Sequence, residues 1–142
     1  MTCSLCSPDL GPVLAEAPSW RLILNRNQNL AGKLFAVTRR HVEAVDELTD
    51  GEWAGLPPLV RRAARALRQV TRPDHFNYAF LQNQDRHVHL HVIPRYAAPR
   101  QLIGLTFTDP DYPGHYAVPV PDRRLDPGQA SQLADLLRQA LA

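Results

Sequence analysis

The stretch richest in chemistry is His87-Val88-His89-Leu90-His91-Val92-Ile93-Pro94-Arg95. Side chains of a β-strand alternate between its faces, so this spacing predicts a strand with His87, His89 and His91 on one face, about 7 Å between neighbours, and Val88, Leu90 and Val92 on the other. Imidazole titrates near neutrality and can act as nucleophile, proton carrier or metal ligand. Three imidazoles kept for packing alone would each need a separate polar partner, so the row points to chemistry. A His-x-His row admits transfer through an imidazole nucleophile, chelation of a catalytic metal by all three rings, or ligand binding without turnover.

The elements that must position this row are legible nearby. Trp20–Asn25 and Lys33–Thr38 read as two strands of a hairpin joined by the turn-rich Arg26-Asn27-Gln28-Asn29 and Gly32. Thr49-Asp50-Gly51-Glu52 is a capping box, and Leu56, Leu59, Val60, Ala63, Leu67 and Val70 then keep helical spacing up to Arg72-Pro73. Pro57-Pro58 inside that pattern predicts a kinked helix or one split in two. His75–Leu81 reads as a strand, separated from the histidine strand only by Gln82-Asn83-Gln84-Asp85-Arg86, which predicts a tight hairpin.

After Tyr96 the chain is rich in proline. It contains a short apolar stretch, Leu102–Phe107, and the cluster Asp111-Tyr112-Pro113-Gly114-His115-Tyr116, readable as a lid or as a surface connection whose tyrosines pack on the domain. Gln129–Leu141 carries Ala130, Leu133, Ala134, Leu136, Leu137 and Leu141 at helical spacing, an amphipathic helix packed on the sheet or on a partner. No internal repeat is present.

With 142 residues, 44% hydrophobic and 21% charged, the chain suits one globular domain with its own core. A net charge of +2 with scattered Lys and Arg is compatible with small anionic substrates and leaves no nucleic-acid footprint; Arg39-Arg40 and Arg61-Arg62 read as solvated faces. There is no signal-like N-terminus and no run long enough for a membrane span, so the expected location is cytoplasmic. Cys3 and Cys6 are the only cysteines, spaced for metal binding or redox chemistry, or inert. As metal ligands they supply two of the four positions that structural zinc requires.

The run His87–Ile93 matches the H-φ-H-φ-H-φ-φ signature of the histidine triad superfamily, and Pro94-Arg95 suits it. Members cleave or transfer nucleotides at the α-phosphate through a covalent nucleotidyl-histidine. The chain resembles that superfamily from its N-terminus to about Tyr96. The resemblance implies an α+β fold, a mainly antiparallel sheet flanked by helices, paired into a two-fold homodimer. The domain would comprise a core over about residues 1–96, a proline-rich extension over 97–125 and a helix over 126–142.

It further implies a purine nucleotide substrate: a nucleoside phosphoramidate, a dinucleoside polyphosphate or a donor for transfer to a sugar phosphate. His89 would be the nucleophile, its other ring nitrogen donating to a carbonyl, and His91 would contact the phosphate oxygens and help protonate the leaving group. Asn25 resembles the family's ribose-binding Asn, although an Asn there also starts turns well. Relatives with an N-terminal C-x-x-C imply a structural zinc on Cys3, Cys6, His41 and His87, with no catalytic cofactor. The family's Gly-Gln-Ser/Thr phosphate-gripping run is missing, which leaves Gln82, Asn83 and Gln84 as candidate amide donors.

Overall fold

The computed structural model describes residues 3–7 and 9–142. Five strands, β1 (Val13–Glu16), β2 (Trp20–Leu24), β3 (Leu34–Thr38), β4 (His75–Ala79) and β5 (His89–Arg95), form an antiparallel sheet in the order β1-β2-β3-β5-β4. Cross-strand partners share a face. The register aligns Leu22, Ala36 and Leu90 on one face and Ile23, Phe35 and His91 on the other. The first face is covered by helices α1 (Asp50–Val70) and α2 (Pro127–Leu141), whose Leu56, Leu59, Ala63, Leu67, Leu133 and Leu137 join the sheet residues in the main core. On the second face, Ile23, Phe35 and Val37 pack with Leu5 of the N-terminal segment. The α+β architecture expected from the sequence is the one observed.

Thr49 caps α1 by accepting the Glu52 N–H, and the Glu52 carboxylate accepts the Thr49 N–H in return. The helix runs uninterrupted through Pro57 and Pro58 instead of splitting there. Both prolines are exposed, so the carbonyls that lose their helical partners face water, where the loss is cheapest. α2 carries its own capping box, Asp126 with Gln129, and packs within the chain on α1 and β1.

Three features escaped the sequence patterns. β1 is a short edge strand with a bulge between Val13 and Ala15. The connection from β4 to β5 is longer than a tight hairpin, because β4 stops at Ala79 and β5 begins at His89, leaving His87 just outside the strand. The apolar stretch after Tyr96 is a second, two-stranded sheet, β6 (Arg100–Leu102) with β7 (Leu105–Phe107), turned by Ile103 and Gly104, both at positive φ as a type I′ turn requires.

Phe107 from this hairpin packs with Tyr96, Ile93, Leu30 and Ala31 in a satellite core, and the Tyr96 hydroxyl donates to the Ala31 carbonyl at 2.5 Å. A buried ion pair completes the anchor. Arg95 Nε donates to Asp109 at 2.7 Å, and its Nη1 donates to Asn77 at 2.8 Å. Burial pushes the Asp109 carboxyl up, but the Arg95 hydrogen bond and the Tyr96 and Asp111 N–H groups outweigh it and hold it below its ordinary value. Removing one partner of such a pair leaves a buried charge uncompensated, so Asp109→Ala is expected to cost about 3–5 kcal/mol in chemical denaturation. Because the folded carboxyl is the stronger acid, its contribution is present above the ordinary value of 3.8 and drains away as pH falls below it, a slope the variant should lack.

Candidate functional site

β3 and β5 build the floor. Phe35 lies opposite His91 and Val37 opposite His89, which puts both imidazoles on the face away from the helices. Their ring centroids are 4.7 Å apart, and the Phe35 ring lies beside them with its centroid at 6.1 and 6.4 Å. His89 Nδ1 lies 2.7 Å from the His87 carbonyl. A carbonyl only accepts, so Nδ1 carries a proton, and in the neutral ring it is Nε2 that holds the lone pair. Burial, then the neighbouring His89 and Lys33, push the His91 imidazole down to about 4, so it is neutral at pH 7.

Two cavities meet at His91. The smaller, about 190 Å³, is lined by Asn25, Asn27, Asn29, Leu30, Lys33, Leu81, His91, Ile93, Tyr116, Ala117 and Val120. Its wall is the loop between β2 and β3, held from inside by Gln28, which is buried. The Gln28 amide donates to the carbonyls of Asn25 and Lys33, and its oxygen accepts the Gly32 N–H. Gly32, at φ +84°, has no room for a side chain: a Cβ there would lie 2.6 Å from Leu67. Asn25 does start the turn, accepting the Asn27 N–H at 2.9 Å, and it also faces this cavity.

The larger cavity, about 550 Å³, is lined by Leu81 to Asp85, His89, His91, Tyr116 and Val118 to Val120. It contains Gln82, Asn83 and Gln84 together. Gln82 donates its amide to the Glu43 carbonyl at 2.6 Å, whereas Asn83 and Gln84 line the cavity with no side-chain hydrogen bond among the described residues. Among its lining residues Asp85 is the one carboxylate, and no Lys or Arg contributes.

Sequence patterns missed Lys33 and the segment 117–121, while Tyr116 ends the cluster that was readable as a lid. Asn27 ties that segment down: its amide donates to the Pro121 carbonyl, and its oxygen accepts the Arg123 N–H, both at 2.9 Å, while the Gln28 N–H donates to the Arg123 carbonyl. The extension is therefore part of the site wall at Tyr116, whereas Tyr112 packs toward Arg95 in the manner of a surface connection. A lysine directly after a turn glycine is an ordinary loop residue, and its spacing carried no warning.

His87 does not join the other two rings. Its buried Nε2–H donates to the Thr38 carbonyl at 2.8 Å, which turns Nδ1 toward Cys3 Sγ at 3.4 Å and Cys6 Sγ at 3.5 Å. His41 is arranged alike, Nδ1 3.3 Å from Cys6 Sγ and Nε2 on the Glu43 carboxylate. Ligand atoms of Cys3, Cys6, His41 and His87 all lie within 4.8 Å of one another. Zn–S and Zn–N bonds of about 2.3 and 2.0 Å at a tetrahedral angle put sulfur and nitrogen about 3.5 Å apart, so the group fits zinc. Outer acceptors fix both imidazole tautomers, as metal-binding histidines require. Burial is the main cause that keeps the His87 imidazole below its ordinary range, which favours the neutral, ligating form.

Such a centre would staple the N-terminal segment to the loop after β3 and to the start of β5. Protein purified without chelator is expected to hold about one zinc per chain by elemental analysis. Cys3→Ser with Cys6→Ser should lose the metal and melt at a clearly lower temperature while activity falls less. Parent protein with under about half an equivalent, or zinc unchanged in the double variant, would reject the centre.

Comparison with known proteins bears on the whole arrangement. The family model described as HIT domain matches residues 12–98. An adenosine 5'-monophosphoramidase of Schizosaccharomyces pombe is 30% identical over 124 residues, 80% of this chain and 86% of that protein. An AP-4-A phosphorylase of Mycobacterium tuberculosis is 30% identical over 103 residues, 68% of this chain; the chain spans about half of that relative's length, 53%. Among solved structures, a histidine triad protein from Bradyrhizobium japonicum superposes with a TM-score of 0.75 at 20% identity, covering 94% of this chain and 92% of that one. A zinc-bound histidine triad family protein from Mycobacterium smegmatis gives 0.67 at 22% identity, covering 99% and 93%. The histidine row, the sheet that carries it and these matches together place the chain in the HIT domain family.

Proposed function

We propose that this chain is a nucleotide-cleaving enzyme in which His89 Nε2 attacks the α-phosphate of a purine nucleotide, forming a nucleotidyl-histidine that water or an acceptor then resolves. The observation that carries the reading is the bond between His89 Nδ1 and the His87 carbonyl, which leaves the opposite nitrogen basic at a cavity. His91, neutral in the free protein, would offer an N–H to the phosphate oxygens and to the leaving group; an arriving phosphate makes it easier to protonate. Asn25 would hold the ribose, and Asn83 or Gln84 would reach the departing group, as Gln82 would if it left Glu43.

Between the leaving groups the sequence left open, the larger cavity favours an amine. A departing nucleoside polyphosphate brings several negative charges to a wall that offers no cation and one carboxylate, Asp85, whereas an amine meets amides and apolar side chains. The relatives include a monophosphoramidase and an AP-4-A phosphorylase, and the reading places this chain with the former. The turning of His87 toward the thiols speaks against a catalytic metal on all three rings. Zinc would be structural, and no catalytic cofactor is needed.

His89→Ala is expected to stay folded, form no covalent adduct with radiolabelled adenosine phosphoramidate and lose at least about a thousandfold in kcat. Label retained on that variant would refute the assignment. A panel of adenylylated and guanylylated compounds should show phosphoramidates turned over faster than dinucleoside polyphosphates.

The same reading includes a homodimer. β4 is an edge strand with an unpaired side, and Trp53, Tyr78 and Leu81 lie exposed on or beside it, a surface that soluble chains rarely leave bare. Sedimentation at micromolar concentration should show a two-chain species, and Tyr78→Glu should shift it to the monomer. A cytoplasmic location goes with reduced thiols at Cys3 and Cys6.

A further inference from the structure

Lys33 follows the turn at Gly32 and precedes β3, two residues before Phe35 and so on the same face as His91. The hairpin ladder extends to it, since the Asn25 N–H donates to its carbonyl at 3.0 Å. Only 7% of the residue is exposed, and that part faces the smaller cavity beside Asn25, Asn29 and His91. Its Nζ donates to Asn29 Oδ1 at 2.6 Å. An ammonium has three protons to donate, and this one makes no ion pair among the described residues; the carboxylate whose field it feels most, Asp122, is not in contact with it.

A buried cation without a counter-ion is costly in a folded chain unless something anionic completes it. Burial, only partly offset by Asp122, lowers the Lys33 ammonium to about 8, which leaves it mostly charged at pH 7. No Lys or Arg lines the larger cavity, and the smaller one has Lys33. We propose that Lys33 is the anion-binding residue of the site, its ammonium reaching the α-phosphate of the bound nucleotide from the nucleoside side while Asn29 holds the side chain in place.

The assignment rests on the nucleotide reading above and adds to it which residue meets the phosphate charge. One ammonium in the nucleoside cavity and none on the departing side also suits a substrate with a single phosphate. The contact acts on binding, and it would equally lower the charge that His89 meets on approach.

Calorimetric titration of AMP and of adenosine into the parent protein, Lys33→Met and Lys33→Gln separates the possibilities. A hydrogen bond to a charged group is worth about 1.5–3 kcal/mol, so AMP affinity should fall at least about tenfold in both variants while adenosine affinity changes less than about threefold. Retained adenosine binding reports that the cavity is folded, and Lys33→Gln keeps a polar partner for Asn29 should the methionine disturb the loop. Equal weakening of both ligands, or AMP binding that neither substitution alters, overturns the assignment and leaves the nucleotide reading standing. A parent protein that binds neither compound overturns both.

Discussion

The antiparallel register between β3 and β5 is the constraint on which the remaining structure depends. Pairing Phe35 with His91 and Val37 with His89 sends every odd-numbered side chain of these central strands to one face and every even-numbered one to the other. Leu34, Ala36, Leu90 and Val92 then meet α1 and α2 in the main core, and the imidazoles are left on the face that the helices do not cover. A slip of β5 by one residue would turn its two imidazoles under the helices and expose Leu90 and Val92. Core formation therefore selects the register, and the register selects where the histidines stand.

His87 shows how one residue can serve two structures. Its ring is turned by the Thr38 carbonyl toward Cys3 and Cys6, and its own carbonyl receives the proton of His89 Nδ1. The adjacent Val88 holds the backbone between them, donating to the Val42 carbonyl and accepting from the Thr38 N–H. The thiol and imidazole cluster and the His89 tautomer are thus mechanically joined through a few backbone atoms. A metal on the cluster would stiffen that junction without approaching the cleft.

The cleft walls depend on buried polar groups more than on the sheet. Gln28 closes the loop that presents Asn25, Asn27, Asn29 and Lys33, and it can do so because all three hydrogen bonds of its side chain go to backbone groups of that loop. Asn27 extends the same device outward to Pro121 and Arg123, while the Arg95–Asp109 pair and Tyr96 fix the start of the extension against β5. The two cavities differ in charge because different segments wall them. The β2–β3 loop contributes Lys33 to one, and the β4–β5 connection contributes Asp85 and amides to the other.

Local pattern was enough for much of this. Alternation along 87–95, the hairpin before it, the capping box at Thr49 and the helical spacing after Glu52 and after Gly128 are all set by neighbours in sequence, and the elements formed at those signals, with β5 starting only at His89. Types and spacing alone also marked His89, His91 and the C-x-x-C pair as chemical. The rest was decided by contacts between distant residues. His87 left the row because the Thr38 carbonyl and thiols more than eighty residues away compete for its ring. Pro57 and Pro58 did not break α1 because their side of the helix is wet, a fact about packing. Lys33 and Tyr116 became cavity walls because the loop held by Gln28 and the segment held by Asn27 close on each other across more than eighty residues of chain, an encounter no local periodicity encodes.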